Sequence, residues 1–157
     1  MVDLLNYKLE YTGTSYGKLD PIEVIGPVPE GFRINFYIAS GEFVGVSGFK
    51  AKTRPGGGDW CIIRPDGVGI LDVRCTTETE DGALIYCTYS GVMDLGPDGY
   101  SKLVAGEPLP NGVPVRAVPR NYTSHPNYQM LNRIQCLAIG VADLGRGETR
   151  YDIYAVL

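Results

Sequence analysis

Apolar and polar residues alternate in short runs along most of the chain, a period of two residues that is typical of strands with one buried face. From Leu5 to Tyr11 every second residue is apolar, which predicts a first strand. Two further alternating runs, RIQCLAIGVAD and TRYDIYAVL, end the sequence on either side of the turn 144–147. We therefore expect a chain of strands whose first and last members can pair with each other.

Two Asp-Gly turns divide residues 56–91 into three strand-like runs. The runs are DWCIIR, GILDVRCTTE and ALIYCTYSGVM, and the turns between them are Pro65-Asp66-Gly67 and Glu80-Asp81-Gly82. Turns of this composition favour tight hairpins, because aspartate and glycine tolerate the backbone conformations that a short reversal needs. The region therefore predicts a meander of antiparallel strands.

The segments on either side of this meander are less regular. Upstream, the sequence predicts a loop over 17–31 and then a hairpin that turns at Ser40-Gly41. Gly45 and Gly48 lie in the second arm of that hairpin and predict a bend or a bulge. Downstream, the glycine- and proline-rich residues 94–112 predict a long loop, and VPVRAVPRNY predicts an interrupted strand.

About nine strands and one short helical turn near 126–131 favour a single closed antiparallel β-barrel, because closure removes the exposed strand edges. Pro126 fits the first turn of that helix. The expected fold is all-β, one domain over 1–157, with about eight to nine strands in a lipocalin-like or allene-oxide-cyclase-like barrel. A β-sandwich is the alternative. A barrel of this size is either filled by side chains or holds one small ligand.

Composition and charge narrow the classes of partner. With 14 lysine and arginine residues against 18 aspartate and glutamate residues, the net charge is −4 and no basic block is present, so nucleic acid is not expected as a partner. No apolar run approaches the roughly 18 residues of a membrane span, and no secretory signal is recognisable. We expect a cytoplasmic protein without a membrane partner, and its 4 cysteines, which lack C-x-x-C spacing, to be free.

A series of motifs in this sequence resembles the DUF3237 family, also called UPF0311. The motifs are GGGDW at 56–60, RPDG at 64–67, LDVR at 71–74, TEDGALIY at 79–86, Tyr89-x-Gly91 and Tyr128-x-x-Leu131-Asn132. The resemblance spans nearly the whole chain and implies a small antiparallel β-barrel, in agreement with the strand count. It implies a fold but no particular reaction.

Ionisable residues on the strand GILDVRCTTE form the first candidate site, but their direction depends on the hairpin register. Asp72 and Arg74 share one face of this strand, and an apolar set shares the other. If Asp81-Gly82 is a two-residue turn, Arg74 lies opposite Tyr89 and the charged face can point inward. If the turn is a three-residue loop with a glycine bulge, Tyr89 lies opposite Val73 and the charged face is a solvated stripe.

In the inward register, Asp72 would hold Arg74 as a fixed cation for a carboxylate or enolate oxygen, and a tyrosine would donate a proton. The candidate catalytic residues are therefore Asp72, Arg74, Tyr89 and Tyr128. Four more residues would shape or close the cavity and bind substrate. These candidate substrate-binding residues are Trp60, Tyr122, His125 and Asn132.

Several of these residues have a structural alternative. Trp60 can equally be an ordinary core residue, and Asp59 is expected to accept backbone N–H bonds from the glycine hinge beside it. His125 can mark the entry to the short helix. Because it is the only histidine, a site of several histidines in one chain is excluded, and neither a metal nor a cofactor is predicted.

These observations favour a cofactor-independent enzyme of the lyase, isomerase, hydratase or cyclase type. Its substrate would be an apolar, aromatic or polycyclic oxygenated molecule inside the barrel. The alternative is a lipocalin-like binding protein for a hydrophobic small molecule, without turnover. A filled structural barrel is a third possibility, and a homodimer formed through an exposed edge stays open. A buried tyrosine or carboxylate with a strongly shifted pKa would favour the enzyme over the carrier.

Overall fold

The computed structural model of the chain describes residues 6–157, so Leu5 of the first predicted strand lies outside the described residues. The strands are β1 (Leu9–Val28), β2 (Gly31–Gly45), β3 (Lys50–Thr53), β4 (Gly58–Ile63), β5 (Val68–Thr79), β6 (Leu84–Asp94), β7 (Val113–Ala117), β8 (Arg120–Tyr122), β9 (Gln135–Asp143) and β10 (Glu148–Val156). The helical segments are α1 (Gly99–Val104) and two 3₁₀ helices, Val46–Gly48 and Pro126–Arg133. The fold is therefore all-β, as the alternating pattern predicts.

The strands form one sheet, in which eight strands make a ring of antiparallel neighbours. The order around the ring is β5-β4-β2-β1-β10-β9-β7-β6, and β6 pairs with β5 to complete it. The short strand β3 pairs with β2 and β5, and the short strand β8 pairs with β6. The first and last strands pair as predicted, from Leu9 opposite Val156 to Lys18 opposite Glu148. One continuous sheet replaces the two facing sheets of the sandwich alternative.

Two upstream predictions are wrong. Residues 17–28 of the predicted loop belong to β1, because irregular pairing at Leu19/Ile22 and Val24/Gly26 accommodates its proline and glycine residues. The predicted turn at Ser40-Gly41 lies inside the continuous strand β2. A Cβ atom at Gly41 would lie 2.8 Å from the Tyr16 carbonyl oxygen and 2.9 Å from the Thr53 side chain, so this glycine permits a close approach of strands.

Most other elements agree with the sequence. The meander forms as β4, β5 and β6, the chain bends at Val46–Gly48 after Gly45, and VPVRAVPRNY forms the interrupted pair β7 and β8. The short helix at 126–131 is the 3₁₀ helix Pro126–Arg133. The helix α1 lies inside the segment that was predicted as a loop. No helix within residues 6–157 is long and apolar enough to span a membrane.

The interior of the ring is filled at one end and open at the other. Large apolar residues near the start of β2 and β7 and the ends of β4, β6 and β9 pack with α1 into a core. Its members include Phe32, Ile34, Ile63, Met93, Leu103, Val115 and Leu144. Elsewhere in the ring, several inward positions are small or hydroxylated, among them Ser40, Thr77 and Ala138, and they border empty space together with larger apolar residues such as Ile38 and Ile153. The small side chains among them leave room for a cavity beside the core.

Candidate functional site

A cavity of about 400 Å³ occupies the open half of the ring. Residues from all strands except β7 contribute to its wall, which is mostly apolar with scattered hydroxyl groups. Tyr128, Met130 and Leu131 from the second 3₁₀ helix line it, together with Val46 and Phe49 from the bend after β2. Asp59, Tyr89 and Tyr151 line it where it meets the core, because Tyr151 belongs to the core cluster and Tyr89 packs against that cluster.

Among the described residues that line the cavity, Asp59 is the only acidic residue, and none is lysine, arginine or histidine. It shares the inward face of β4 with the fully buried Cys61 and Ile63. Its carboxylate Oδ1 accepts a hydrogen bond of 2.9 Å from the Asp72 backbone N–H of β5. The neighbouring strand thus supplies a hydrogen bond to the carboxylate.

The pairing of β4 with β5 is interrupted at this point, although its register does not change. Gly58 pairs with Arg74 and Asp59 with Val73, and pairing continues in the same register from Ile62 with Ile70. Between them, the Asp72 N–H donates to Asp59, and the Trp60 carbonyl accepts a 2.7 Å hydrogen bond from Arg33 Nη1. A side chain and a guanidinium group therefore satisfy backbone groups that would otherwise bond across the ladder. The prediction that Asp59 binds the glycine hinge is wrong in its partner, although Asp59 does accept a backbone N–H.

Burial raises the pKa of Asp59 from its ordinary value of 3.8 to about 7. The Asp72 N–H lowers it, the negative charge of Asp72 raises it, and the positive charge of Arg33 lowers it, each by less than burial does. The residue is half-buried, and it lines the cavity. Near neutral pH the carboxyl group is therefore present in both its protonated and its ionised form.

Two buried tyrosines accompany this carboxyl group. The Tyr89 and Tyr151 rings lie edge to face with centroids 6.4 Å apart. Burial raises the pKa of both hydroxyl groups, and the charge of Asp59 raises each of them further. Both phenols therefore stay protonated at neutral pH and can donate hydrogen bonds to an oxygen atom in the cavity. Gly140 lies opposite Tyr151 in β9, and its missing side chain leaves room for the tyrosine ring.

Tyr128 lines the cavity at a different place, on the second 3₁₀ helix. Its hydroxyl group donates a 2.9 Å hydrogen bond to Asp81 Oδ1 in the turn between β5 and β6. Its ring packs against Phe49, with centroids 5.8 Å apart, and against His125, with centroids 5.3 Å apart. Tyr128 therefore joins three segments around one part of the cavity wall, and its hydroxyl group is engaged with Asp81.

The hairpin between β5 and β6 has the three-residue register, and this directs Asp72 and Arg74 away from the cavity. Tyr89 lies opposite Val73, and Arg74 lies opposite Thr88. Asp72 Oδ1 and Arg74 Nη2 are 3.2 Å apart, and both side chains are 53% exposed. The ion pair expected between them is present, but on the outer face, where solvent weakens it. The inward site imagined for these two residues is thus not formed, whereas Tyr89 does line the cavity.

Trp60 and Tyr122 also lie outside the cavity lining. The Arg74 guanidinium carbon is 5.7 Å from the centre of the Trp60 ring system, and the Tyr37 ring meets Trp60 edge to face at 6.5 Å. Tyr122 stacks on Tyr86 with centroids 6.2 Å apart, and both tyrosines are exposed. The predicted roles of Trp60 and Tyr122 as walls of the cavity are corrected accordingly. Trp60 is displaced because its neighbours Asp59 and Cys61 take the inward positions of β4.

His125 and Asn132 hold the second 3₁₀ helix in place. His125 Nδ1 accepts the Asn127 N–H at 3.3 Å, which makes it the N-terminal cap of that helix. Asn132 accepts the Thr123 N–H and donates to the Thr123 carbonyl, both at 2.9 Å. Neither residue is among the cavity lining, so helix entry describes His125 better than substrate contact. Among residues 6–157, no group of three or more His, Cys, Asp or Glu side chains is placed to hold a metal ion.

Comparison with known proteins assigns the chain to a family. The family model described as "Protein of unknown function (DUF3237)" matches residues 7–156. The chain belongs to the DUF3237 family. A UPF0311 protein of Rhodopseudomonas palustris strain TIE-1 is 35% identical over 150 residues, which are 94% of this chain and 95% of the relative. The family resemblance found in the motifs is thereby confirmed.

Solved structures share the fold of this DUF3237 member. A β-barrel-like protein from Acinetobacter baumannii superposes with a TM-score of 0.81 at 28% identity, over 100% of both chains. An enzyme from Penicillium herquei superposes with a TM-score of 0.69 at 16% identity, over 96% of this chain and 95% of the other. At that identity the second likeness concerns the fold alone. The shared fold is an antiparallel, barrel-like sheet.

Sequence reasoning missed two of the three polar groups where cavity and core meet. Tyr151 shares its strand face with Ile153 and Ala155, and this alternation was a readable signal that it points inward. The direction of Asp59 is harder to predict, because DWCIIR is a nearly continuous apolar run and its pattern does not indicate which face is buried. Only the pairing of β4 with β2 and β5 settles its direction.

Proposed function

We propose that this DUF3237 protein is a cofactor-independent acid–base enzyme that acts on an apolar, oxygenated small molecule inside the cavity. The observation that carries the proposal is Asp59, a carboxyl group with a pKa of about 7 that lines a largely apolar cavity. Buried groups with a pKa moved toward neutrality are typical of general acids and bases. Asp59 thus takes the catalytic role that the sequence suggested for Asp72 and Arg74, which lie on the outer face.

In this proposal the ionised Asp59 removes a proton from a hydroxyl group or from a carbon next to a carbonyl group. Negative charge then develops on the substrate oxygen, and the hydroxyl groups of Tyr89 and Tyr151 stabilise it by donating hydrogen bonds. The protonated Asp59 returns the proton at another atom. Such a cycle isomerises, cyclises or eliminates without a cofactor, and an aromatic or polycyclic substrate suits the size and the apolar wall of the cavity.

The proposal also includes the type of barrel, the cellular location and the partner of the protein. We propose that the eight-stranded ring acts as a closed barrel of the lipocalin or allene-oxide-cyclase kind, that the protein works in the cytoplasm, and that its partner is the small molecule. A homodimer stays a prediction. Tyr128 is proposed to contact the substrate near the second 3₁₀ helix, since its ring lines the cavity while its hydroxyl group is bound to Asp81.

The alternative function is a carrier that binds an apolar molecule without turnover, and the mostly apolar cavity wall suits such a ligand. The two functions differ in what they require of Asp59. A carrier has no need of a carboxyl group in a place where its charged form is poorly solvated. A proton-transfer enzyme needs such a group at the point where the proton moves.

The test measures proton transfer directly with a probe ketone. Bicyclic and tricyclic aromatic ketones such as 2-tetralone are first screened for binding by thermal shift. The binders are then incubated in D₂O, and NMR follows deuterium incorporation next to the carbonyl group. We expect the wild type to accelerate exchange and Asp59→Asn to lose at least about a hundredfold of that rate, the usual contribution of a positioned base. Glu78→Gln, an exposed carboxylate on the outer face, is the matched control and should keep the rate.

Two results would count against the proposal. Binding without any accelerated exchange would favour the carrier. Exchange that survives Asp59→Asn at the wild-type rate would assign the proton transfer to another group, and the acid–base role of Asp59 would be abandoned.

A further inference from the structure

Three thiol groups on the cavity wall have no part in the proposed acid–base chemistry. Cys75 on β5 lies directly opposite Cys87 on β6 in the register of the hairpin, and both residues line the cavity. Cys136 on β9 lines it as well. Directly opposite residues of an antiparallel pair project side by side from the same face, so Cys75 and Cys87 form a pair of adjacent thiols. A pair of thiols facing an apolar cavity is a reactive site of its own.

The four cysteines differ in what can reach them. Cys75 and Cys87 are partly exposed, and they face the cavity. Cys61 is fully buried in the core cluster and does not line the cavity. Cys136 lines the cavity but is only 5% exposed. The buried Cys61 and Cys136 therefore serve as internal controls for the reactivity of the accessible Cys75 and Cys87.

The pairing also makes the two accessible thiols unequal. Hydrogen bonding from the Cys87 side chain lowers the pKa of Cys75, against the opposing effect of burial. The same contact, together with burial and the neighbouring Cys75 and Cys136, raises the pKa of Cys87. The direction of these shifts favours the thiolate of Cys75 over that of Cys87, and the thiolate is the reactive form of cysteine.

We propose that Cys75 is a covalent capture site for conjugated carbonyl compounds that enter the cavity. The Cys75 sulfur forms a bond to the β-carbon of an α,β-unsaturated ketone, and the electron pair of the C=C bond moves to the carbonyl oxygen. Cys87 donates a hydrogen bond to the Cys75 thiolate before attack. The proton that Cys75 loses ends on the α-carbon, so the reaction adds S–H across the double bond with no leaving group and no oxidant. This site goes beyond the proposed function and does not depend on Asp59.

The experiment uses the full chain and cyclohex-2-enone, a small apolar enone, at neutral pH. Intact-mass spectrometry counts the adducts, and peptide mapping assigns each adduct to a cysteine at successive times. We expect a single adduct on Cys75, formed at least about tenfold faster than on Cys61 or Cys136, because accessibility and thiolate character control the reactivity of cysteine. Because the wild type itself reports the site, this part of the test needs no variant.

Variants then separate the roles of the two thiols. Cys75→Ser should abolish the fast adduct. Cys87→Ala should slow it by about threefold or more, whereas Cys87→Ser, which keeps a hydrogen-bond donor, should retain most of the rate. Thermal melting of each variant shows whether it is folded, and the same labelling in guanidinium shows that each cysteine can react when exposed.

The proposal is overturned if folded wild type forms no adduct under conditions in which the unfolded chain reacts. It is also overturned if Cys61, Cys87 or Cys136 is labelled as fast as Cys75, or if Cys75→Ser leaves the fast adduct in place. Equal rates in wild type and in folded Cys87→Ala would remove Cys87 from the site.

Discussion

The raised pKa of Asp59 has a consequence for stability that can be measured without knowing any ligand. The ordinary value of 3.8 and the folded value of about 7 differ by about 3. Since one pKa unit corresponds to about 1.36 kcal/mol, the ionised carboxylate destabilises the folded protein by about 4 kcal/mol. The folded state binds the proton more tightly than the unfolded state. The contribution of Asp59 to the free energy of unfolding is therefore fully present below pH 3.8 and is lost as pH rises through about 7.

Asp59→Asn removes this dependence while keeping an oxygen atom that can accept the Asp72 N–H. We expect the variant to gain stability relative to the wild type as pH rises from about 4 to about 8, by about 4 kcal/mol over the interval. Urea denaturation of both proteins at a series of pH values gives the difference, and carbon-13 NMR of the Asp59 carboxyl group gives the pKa directly.

Asp66→Asn is the control with the opposite sign. Hydrogen bonding to Arg64 lowers the pKa of the exposed Asp66, so its contribution is present above its unfolded pKa and is lost as pH falls. The reasoning is refuted if wild type and Asp59→Asn keep a constant difference between pH 4 and 8. That result would mean that water in the cavity solvates the carboxylate, and the basis for its acid–base role would disappear.

Three further predictions concern the surroundings of the cavity. Gly140→Ala should destabilise the fold by about 1–3 kcal/mol in urea denaturation, because its Cβ would lie 1.9 Å from the Arg150 carbonyl oxygen and 2.7 Å from the Tyr151 ring; an unchanged midpoint would contradict this. Arg74→Ala should leave binding of the probe ketone unchanged, and a loss measured by thermal shift would return Arg74 to the site. Tyr128→Phe should speed ligand dissociation in stopped-flow fluorescence, since it removes the bond to Asp81; an equal rate would show that this bond does not hold the segment.

The outer face of β4 and β5 explains why charged motif residues need not belong to the cavity. Arg33 binds the Trp60 carbonyl, and Arg74 covers the Trp60 ring. These contacts lie on the outer side of β4, and the Asp72 N–H of β5 donates a hydrogen bond to the Asp59 carboxylate, which lines the cavity. The motifs GGGDW and LDVR thus include residues on both faces: one carboxyl group for the cavity and an outer cluster beside the interrupted pairing of β4 with β5.

Local sequence determined most of the strands of this protein. Alternation in MVDLLNYKLEYTG, RIQCLAIGVAD and TRYDIYAVL, and the two Asp-Gly turns, were enough to predict an all-β chain whose ends pair. The period of a strand and the conformational demands of a turn are local properties. The breaks were predicted less well, because whether Gly41 marks a turn or a close approach depends on which strand packs against it.

Tertiary structure alone decided the site. Two registers of the β5–β6 hairpin were compatible with the sequence, and a shift of one residue exchanges every side chain between cavity and solvent. The register formed directs Asp72 and Arg74 outward and Tyr89 inward. The pairings of β4 likewise direct Asp59 inward, and its pKa then follows from burial. Burial is a property of the assembled ring, so no local pattern could reveal which carboxylate would titrate near neutral pH.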